Sequence, residues 1–146
     1  MLKYRILPVT PYQQNCTLFW CDQTAEAALV DPGGDLERLL DLIDKSGVSL
    51  TKILLTHGHL DHVGGANELA RTLGVKIEGP NEADKFRMDG VEKQARGYGL
   101  AGMSNATSDR FMTEGDALTI GGLSFDVFHC PGHSPGSLVY VSKAER

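Results

Sequence analysis

The apolar positions of the chain fall into short runs with two different periods. Tyr4, Ile6 and Leu7 mark one β segment, Cys16-Thr-Leu-Phe-Trp-Cys21 a second, and Ala27-Ala-Leu-Val30 a third that the turn Asp31-Pro-Gly-Gly34 closes. Leu36, Leu39, Leu40 and Ile43 then repeat at i, i+3, i+4, i+7. That spacing predicts an amphipathic helix, with Asp35 as its N-cap and Gly47 where a C-terminal glycine belongs. Ile53-Leu-Leu55 is wholly apolar, as expected of a strand covered on both faces. After a loop from Thr56 to Gly65, the stripe Ala66, Leu69, Ala70, Leu73 predicts a second helix that Gly74 ends, and Val75 to Ile77 a further strand. Residues 80–112 are polar and dotted with glycine; a helix from about Glu82 to Met88 is expected there, followed by irregular structure. Leu118 and Ile120 form a strand, Gly121-Gly122 turns it, and Leu123, Phe125 and Val127 alternate on one face of the next. Ser137 to Val141 is the last strand. Strands, a helix, a strand, a helix and more strands define an α/β arrangement with helices packed on sheets. No repeat or Ser/Pro-rich linker divides residues 1–146, so a single domain is expected.

Charge narrows the classes open to such a domain. Fourteen Lys and Arg against nineteen Asp and Glu give a net charge of −5, the wrong balance for a protein that grips a phosphate backbone. Mean hydropathy of −0.18 and the lack of an apolar run of roughly 18 residues argue against a membrane protein. Met1 to Pro8 carries basic residues without the apolar stretch of a signal peptide, so a cytoplasmic location is expected. Cys16, Cys21 and Cys130 are odd in number and have no second pair to complete a structural zinc site; they are expected to be small buried hydrophobes.

The candidate chemistry lies in histidine. Three of the five histidines stand within six residues, in Thr56-His57-Gly58-His59-Leu60-Asp61-His62. This run follows a buried strand and precedes a helix, at the strand end where α/β folds bind ligands. In an extended loop His57 and His59 point to the same side, while Asp61 and His62 can face a second position close by. Imidazoles with a carboxylate suit Zn, Fe or Mn. The spacing is not the H-E-x-x-H of a helical zinc site. A second element, Cys130-Pro-Gly-His133-Ser-Pro-Gly136, is delivered by the strand ending near Phe128. Alone it reads as an exposed turn; beside the first cluster His133 becomes the third histidine of a site that leaves one coordination position for water. His129 is expected to be packed or hydrogen-bonded, not a ligand.

These two histidine motifs resemble the metallo-β-lactamase-fold hydrolases. Gln14-Asn-Cys16, Asp31-Pro-Gly-Gly34 and Thr56 to Gly65 look like the compact bacterial glyoxalase II branch, the hydroxyacylglutathione hydrolases. The resemblance implies an αββα sandwich in which His57, His59 and His133 bind a first metal, and Asp61 and His62 contribute to a second, with Asp61 the catalytic carboxylate. It implies one or two Zn2+ ions, with Fe or Mn also fitting, and hydrolysis of a small-molecule glutathione thioester of the S-lactoylglutathione type by a metal-activated hydroxide. Persulfide dioxygenases, which use one iron, share this fold and are the alternative enzyme; a metal-binding fragment without catalysis is the other. The family pattern continues to a bridging Asp in a Gly-Asp turn and a further His. Neither follows His133, where Glu145 is the only acidic residue. The expectation is therefore a member whose second half lacks its C-terminal part, with strands from Leu118 onward exposing unpaired edges.

Overall fold

The computed structural model describes residues 1–144, so Glu145 lies outside the described residues. Strands β1 (Leu2–Val9), β2 (Gln14–Cys21), β3 (Glu26–Val30), β4 (Ser49–Leu54) and β5 (Lys76–Glu78) form one sheet in that order. The first three pair antiparallel, while β3, β4 and β5 run parallel. The parallel pairs need crossovers. Helix α1 (Leu36–Ser46) supplies the first, and the short helix α2 (Leu60–Val63) with α3 (Ala66–Leu73) supplies the second. Helices α4 (Lys85–Met88) and α5 (Val91–Gly97) follow, then a three-stranded antiparallel sheet of β6 (Ala117–Ile120), β7 (Leu123–His129) and β8 (Leu138–Ser142).

Period-2 alternation explains how the five-stranded sheet serves two cores. Cys16 and Leu18 of β2, Leu29 of β3 and Ile53 of β4 point to one face, where they pack with Leu39, Ile43, Leu69 and Met88 of the helices. Their neighbours Phe19, Ala28 and Leu54 point to the other face and meet Ile120, Phe125, Val127 and Leu138 of the second sheet. The rings of Phe19 and Phe125 lie 5.0 Å apart across that interface. The layers are therefore helix, sheet, sheet. Phe128 and Val139, paired in register on β7 and β8, are exposed on the outer face. Strands β6 and β8 are the edges of the smaller sheet. No helix among the described residues is long and apolar enough to cross a membrane.

Four expectations need correction. Asp35 precedes α1 in a left-handed conformation (φ 56°), and its side chain makes no cap; its Oδ2 accepts the Thr10 N–H at 2.8 Å instead. A capping side chain requires extended backbone, which Asp35 lacks. The stretch from Thr56 to Gly65 is not all loop, because Leu60–Val63 closes one helical turn over the buried Leu60 and Val63. The region after Met88 holds α5, anchored by Val91 and Ala95, where irregular structure was expected. Cys16 and Cys21 are buried as expected, but Cys130 is exposed, because it follows the last residue of β7 at the rim of the second sheet.

Candidate metal centre

Strands β3 and β4 run side by side in parallel, so Asp31 and Thr56 leave the same end of the sheet together. Asp31 Oδ1 accepts the Thr56 N–H at 2.8 Å, and Oδ2 accepts the Thr56 hydroxyl at 2.5 Å. A hydroxyl has one proton to give. Since it goes to Asp31, the 2.9 Å contact between Thr56 Oγ1 and His57 Nδ1 requires the ring to donate. The proton of His57 therefore sits on Nδ1 and the lone pair on Nε2. That Nε2 is buried and has no hydrogen-bond partner. Burial, with the neighbouring His62 imidazole, pushes the pKa of His57 down to about 4 against the opposing pull of Asp31. A buried, neutral, unpartnered nitrogen is costly to leave empty, and it is the donor a cation takes. The residues fit a metal.

Two more imidazoles face the same space. The ring of His57 lies 4.8 Å from that of His59 and 4.9 Å from that of His133, and His59 and His133 are 4.6 Å apart. One donor nitrogen from each lies within 4.8 Å of the others, and His59 Nδ1 stands 3.0 Å from His133 Nε2. Burial and the Arg87 charge hold the pKa of His59 below its ordinary value.

His62 sits on the other side of His57, ring to ring at 4.0 Å. Its Nδ1 is 2.8 Å from Asp31 Oδ2, and its Nε2 is 3.6 Å from Asp61 Oδ2. Burial alone would lower the pKa of His62, but the Asp31 hydrogen bond and the Asp31 and Asp61 charges outweigh it and the shift is upward. Asp31, His57 and His62 also lie within 4.8 Å of one another. Asp31, however, already accepts from Thr56 twice and holds His62, so it orients imidazoles and is poorly placed to ligate. Asp61 belongs to neither trio; it stands beside His62, as the position of both at α2 allows. His129 donates its Nε2–H to the Pro135 carbonyl, 2.8 Å away, and so shapes the loop that carries His133.

The two histidine loops are 74 residues apart at His59 and His133, and a carboxylate joins them. Asp84, fully buried, takes the Gly58 N–H on Oδ2 at 2.7 Å and the Gly136 N–H on Oδ1 at 2.7 Å. It also accepts the Ser134 hydroxyl. Gly136 approaches so closely that a Cβ there would lie 2.7 Å from Asp84 Cγ. The Thr56 carbonyl further accepts the Leu138 N–H at 2.8 Å, which pins β8 to the first loop. Sequence reasoning missed Asp31, Thr56 and Asp84. Asp31 carried a signal, standing like His57 just past the end of a strand; Asp84 carried none.

An α/β scaffold whose strand ends converge three imidazoles on one point, with a carboxylate-held histidine beside them, defines a metallo-hydrolase. Residues 9–146 match the metallo-beta-lactamase superfamily, and the chain belongs to that family. It is 42% identical to hydroxyacylglutathione hydrolase GloC of Haemophilus influenzae over 99% of its own length and 68% of the relative's. Its fold superposes on the B3 metallo-beta-lactamase BLEG-1 with a TM-score of 0.84 at 32% identity, covering 98% of this chain and 68% of that one. TTHA1623 in a di-iron-bound form gives a TM-score of 0.83 at 32% identity, covering 96% and 67%. The chain thus spans about two thirds of the length of these relatives.

Proposed function

We propose that the chain hydrolyses glutathione thioesters of the S-lactoylglutathione type, in the cytoplasm, with zinc held by His57, His59 and His133. One observation carries the reading: the buried Nε2 of His57 has no partner, and the ring that bears it lies less than 5 Å, centre to centre, from two further imidazoles. The substrate class is supported by the 42% identity with a hydroxyacylglutathione hydrolase. A divalent cation bound there would polarise a thioester carbonyl and lower the pKa of water.

The chain's own residues do the rest. Thr56 and Asp31 keep the proton of His57 on Nδ1, so Nε2 is always presented as a donor. The depressed pKa of His57 keeps protons from competing for that lone pair at neutral pH. Asp61 and His62 flank the trio, where Asp61 offers a carboxylate to a second ion or to a reacting proton. Net charge of −5 favours a small-molecule substrate over nucleic acid.

Hydrolysis of S-D-lactoylglutathione by the zinc-loaded chain, followed by loss of thioester absorbance, tests the reading. Turnover that His57→Ala and His133→Ala each abolish is expected. Absence of thioester cleavage, together with iron-dependent oxygen uptake on glutathione persulfide, would overturn it.

A further inference from the structure

Beside the metal centre the surface changes character. A groove of about 470 Å³ runs between α4 and α5, walled by Phe86, Arg87, Lys93, Gln94 and Tyr98. A smaller cleft continues it to the centre itself, sharing Gln94 and Tyr98 and reaching His59 and Asp61. Gln94 and Tyr98 stand at the join, and Arg87 lines the larger groove. A Cβ on Gly58 would lie 3.1 Å from Arg87 Cβ, so the arginine packs directly on the loop of His57 and His59.

The cations of this groove have no anionic partner among the described residues. Arg87 Nε is buried without a hydrogen-bond partner, and its guanidinium stacks over Phe86 with 5.0 Å to the ring centroid. Among the described residues, neither Arg87 nor Lys93 has a carboxylate within 4.0 Å, whereas Lys45, Lys52, Lys85 and Lys143 are all paired. A buried guanidinium edge without an acceptor is a group awaiting one. Its planar fork matches a carboxylate. Two exposed aromatic rings, Phe86 and Tyr98, flank the cations and offer apolar contact to whatever lies between them.

We infer that the α4–α5 groove binds the carboxylate-bearing thiol arm of the substrate, with Arg87 and Lys93 as the anion-recognising pair. The inference rests on the thioester reading above and adds to it which end of the substrate goes where. With the carbonyl at the three histidines, the short acyl arm needs little room. The longer, anionic peptide arm leaves past His59 and Asp61 into the adjoining groove, where two cations without an ion-pair partner meet two aromatic rings.

Calorimetric titration of the zinc-loaded chain with S-methylglutathione, which has the thiol arm and no acyl group, tests this without catalysis. Wild type is expected to bind, more weakly as salt rises. Replacing Arg87→Gln and Lys93→Gln together raises Kd at least about tenfold. Should the double variant fail to fold, Lys93→Gln alone, on the exposed side of α5, is expected to raise Kd and reduce the salt dependence. Wild type that does not bind, or variants that bind as wild type does, would overturn the assignment. If binding behaves as expected but S-lactoylglutathione is not cleaved, the groove stands and thioester hydrolysis falls. If cleavage runs and the variants keep the wild-type KM, hydrolysis stands and the groove falls.

Discussion

Thr56 has a single hydroxyl proton, and the direction in which it points decides the state of His57. Replacing Thr56→Val keeps the shape and removes the acceptor for the Nδ1 proton. Zinc affinity, measured by competition with a chromophoric chelator, is expected to fall about 10- to 100-fold while the fold persists. Titration of His57 itself bears on stability. Its pKa is about 4 in the folded chain and about 6.5 when unfolded. Between those values the unfolded state binds more protons, so stability is full above pH 6.5 and is lost as the pH falls toward 4. His62, shifted upward, works in the opposite sense, its stabilisation waning as the pH rises through its folded pKa. Thermal melting of the metal-free chain across pH 7.5 to 4.5 is expected to show the acid loss. A His57→Gln variant should show a shallower one.

The elements differ in how openly the residues announce them. Strand β7 and helices α1 and α3 were legible because each alternates or repeats over enough residues for a period to show, and β2 and β3 because each is a short apolar run bounded by turn residues. Helix α2 has only four residues and no period to read. Helix α5 shows two buried positions, Val91 and Ala95, amid charge and glycine. The two histidine motifs were legible as chemistry, since their residue types are rare and clustered. Their meeting point was not, because the residue that makes them meet, Asp84, looks like any acid in a polar stretch until the chain folds over it. Replacing Asp84→Ala orphans two amides and a hydroxyl in a buried place, and is expected to cost about 3 kcal/mol in urea unfolding and to weaken zinc binding as well. Leu54 tests a different layer. It faces the second sheet while its neighbour Ile53 faces the helices, and Leu54→Ala is expected to cost about 3 kcal/mol, seen as a lowered thermal midpoint.

At the scale of the molecule, the donors are unevenly distributed. The first trio supplies three imidazole nitrogens, whereas beyond it the described residues offer only His62 and Asp61, since Asp31 is held by Thr56 and His62. Titration of this 146-residue chain with zinc is expected to show one tight ion, counted by metal analysis after gel filtration. Two tight ions would mean that His62 with Asp61 or Asp31 completes a second site.

Asp84 also dates the centre within the life of the polypeptide. A ribosome finishes the His57 loop long before it reaches His133, and until Ser134 and Gly136 have arrived the buried acid holds only the Gly58 amide. A nascent chain therefore offers passing ions only loose, open-ended contacts. The three-imidazole site is complete only once the second sheet docks and brings His133 to the first loop.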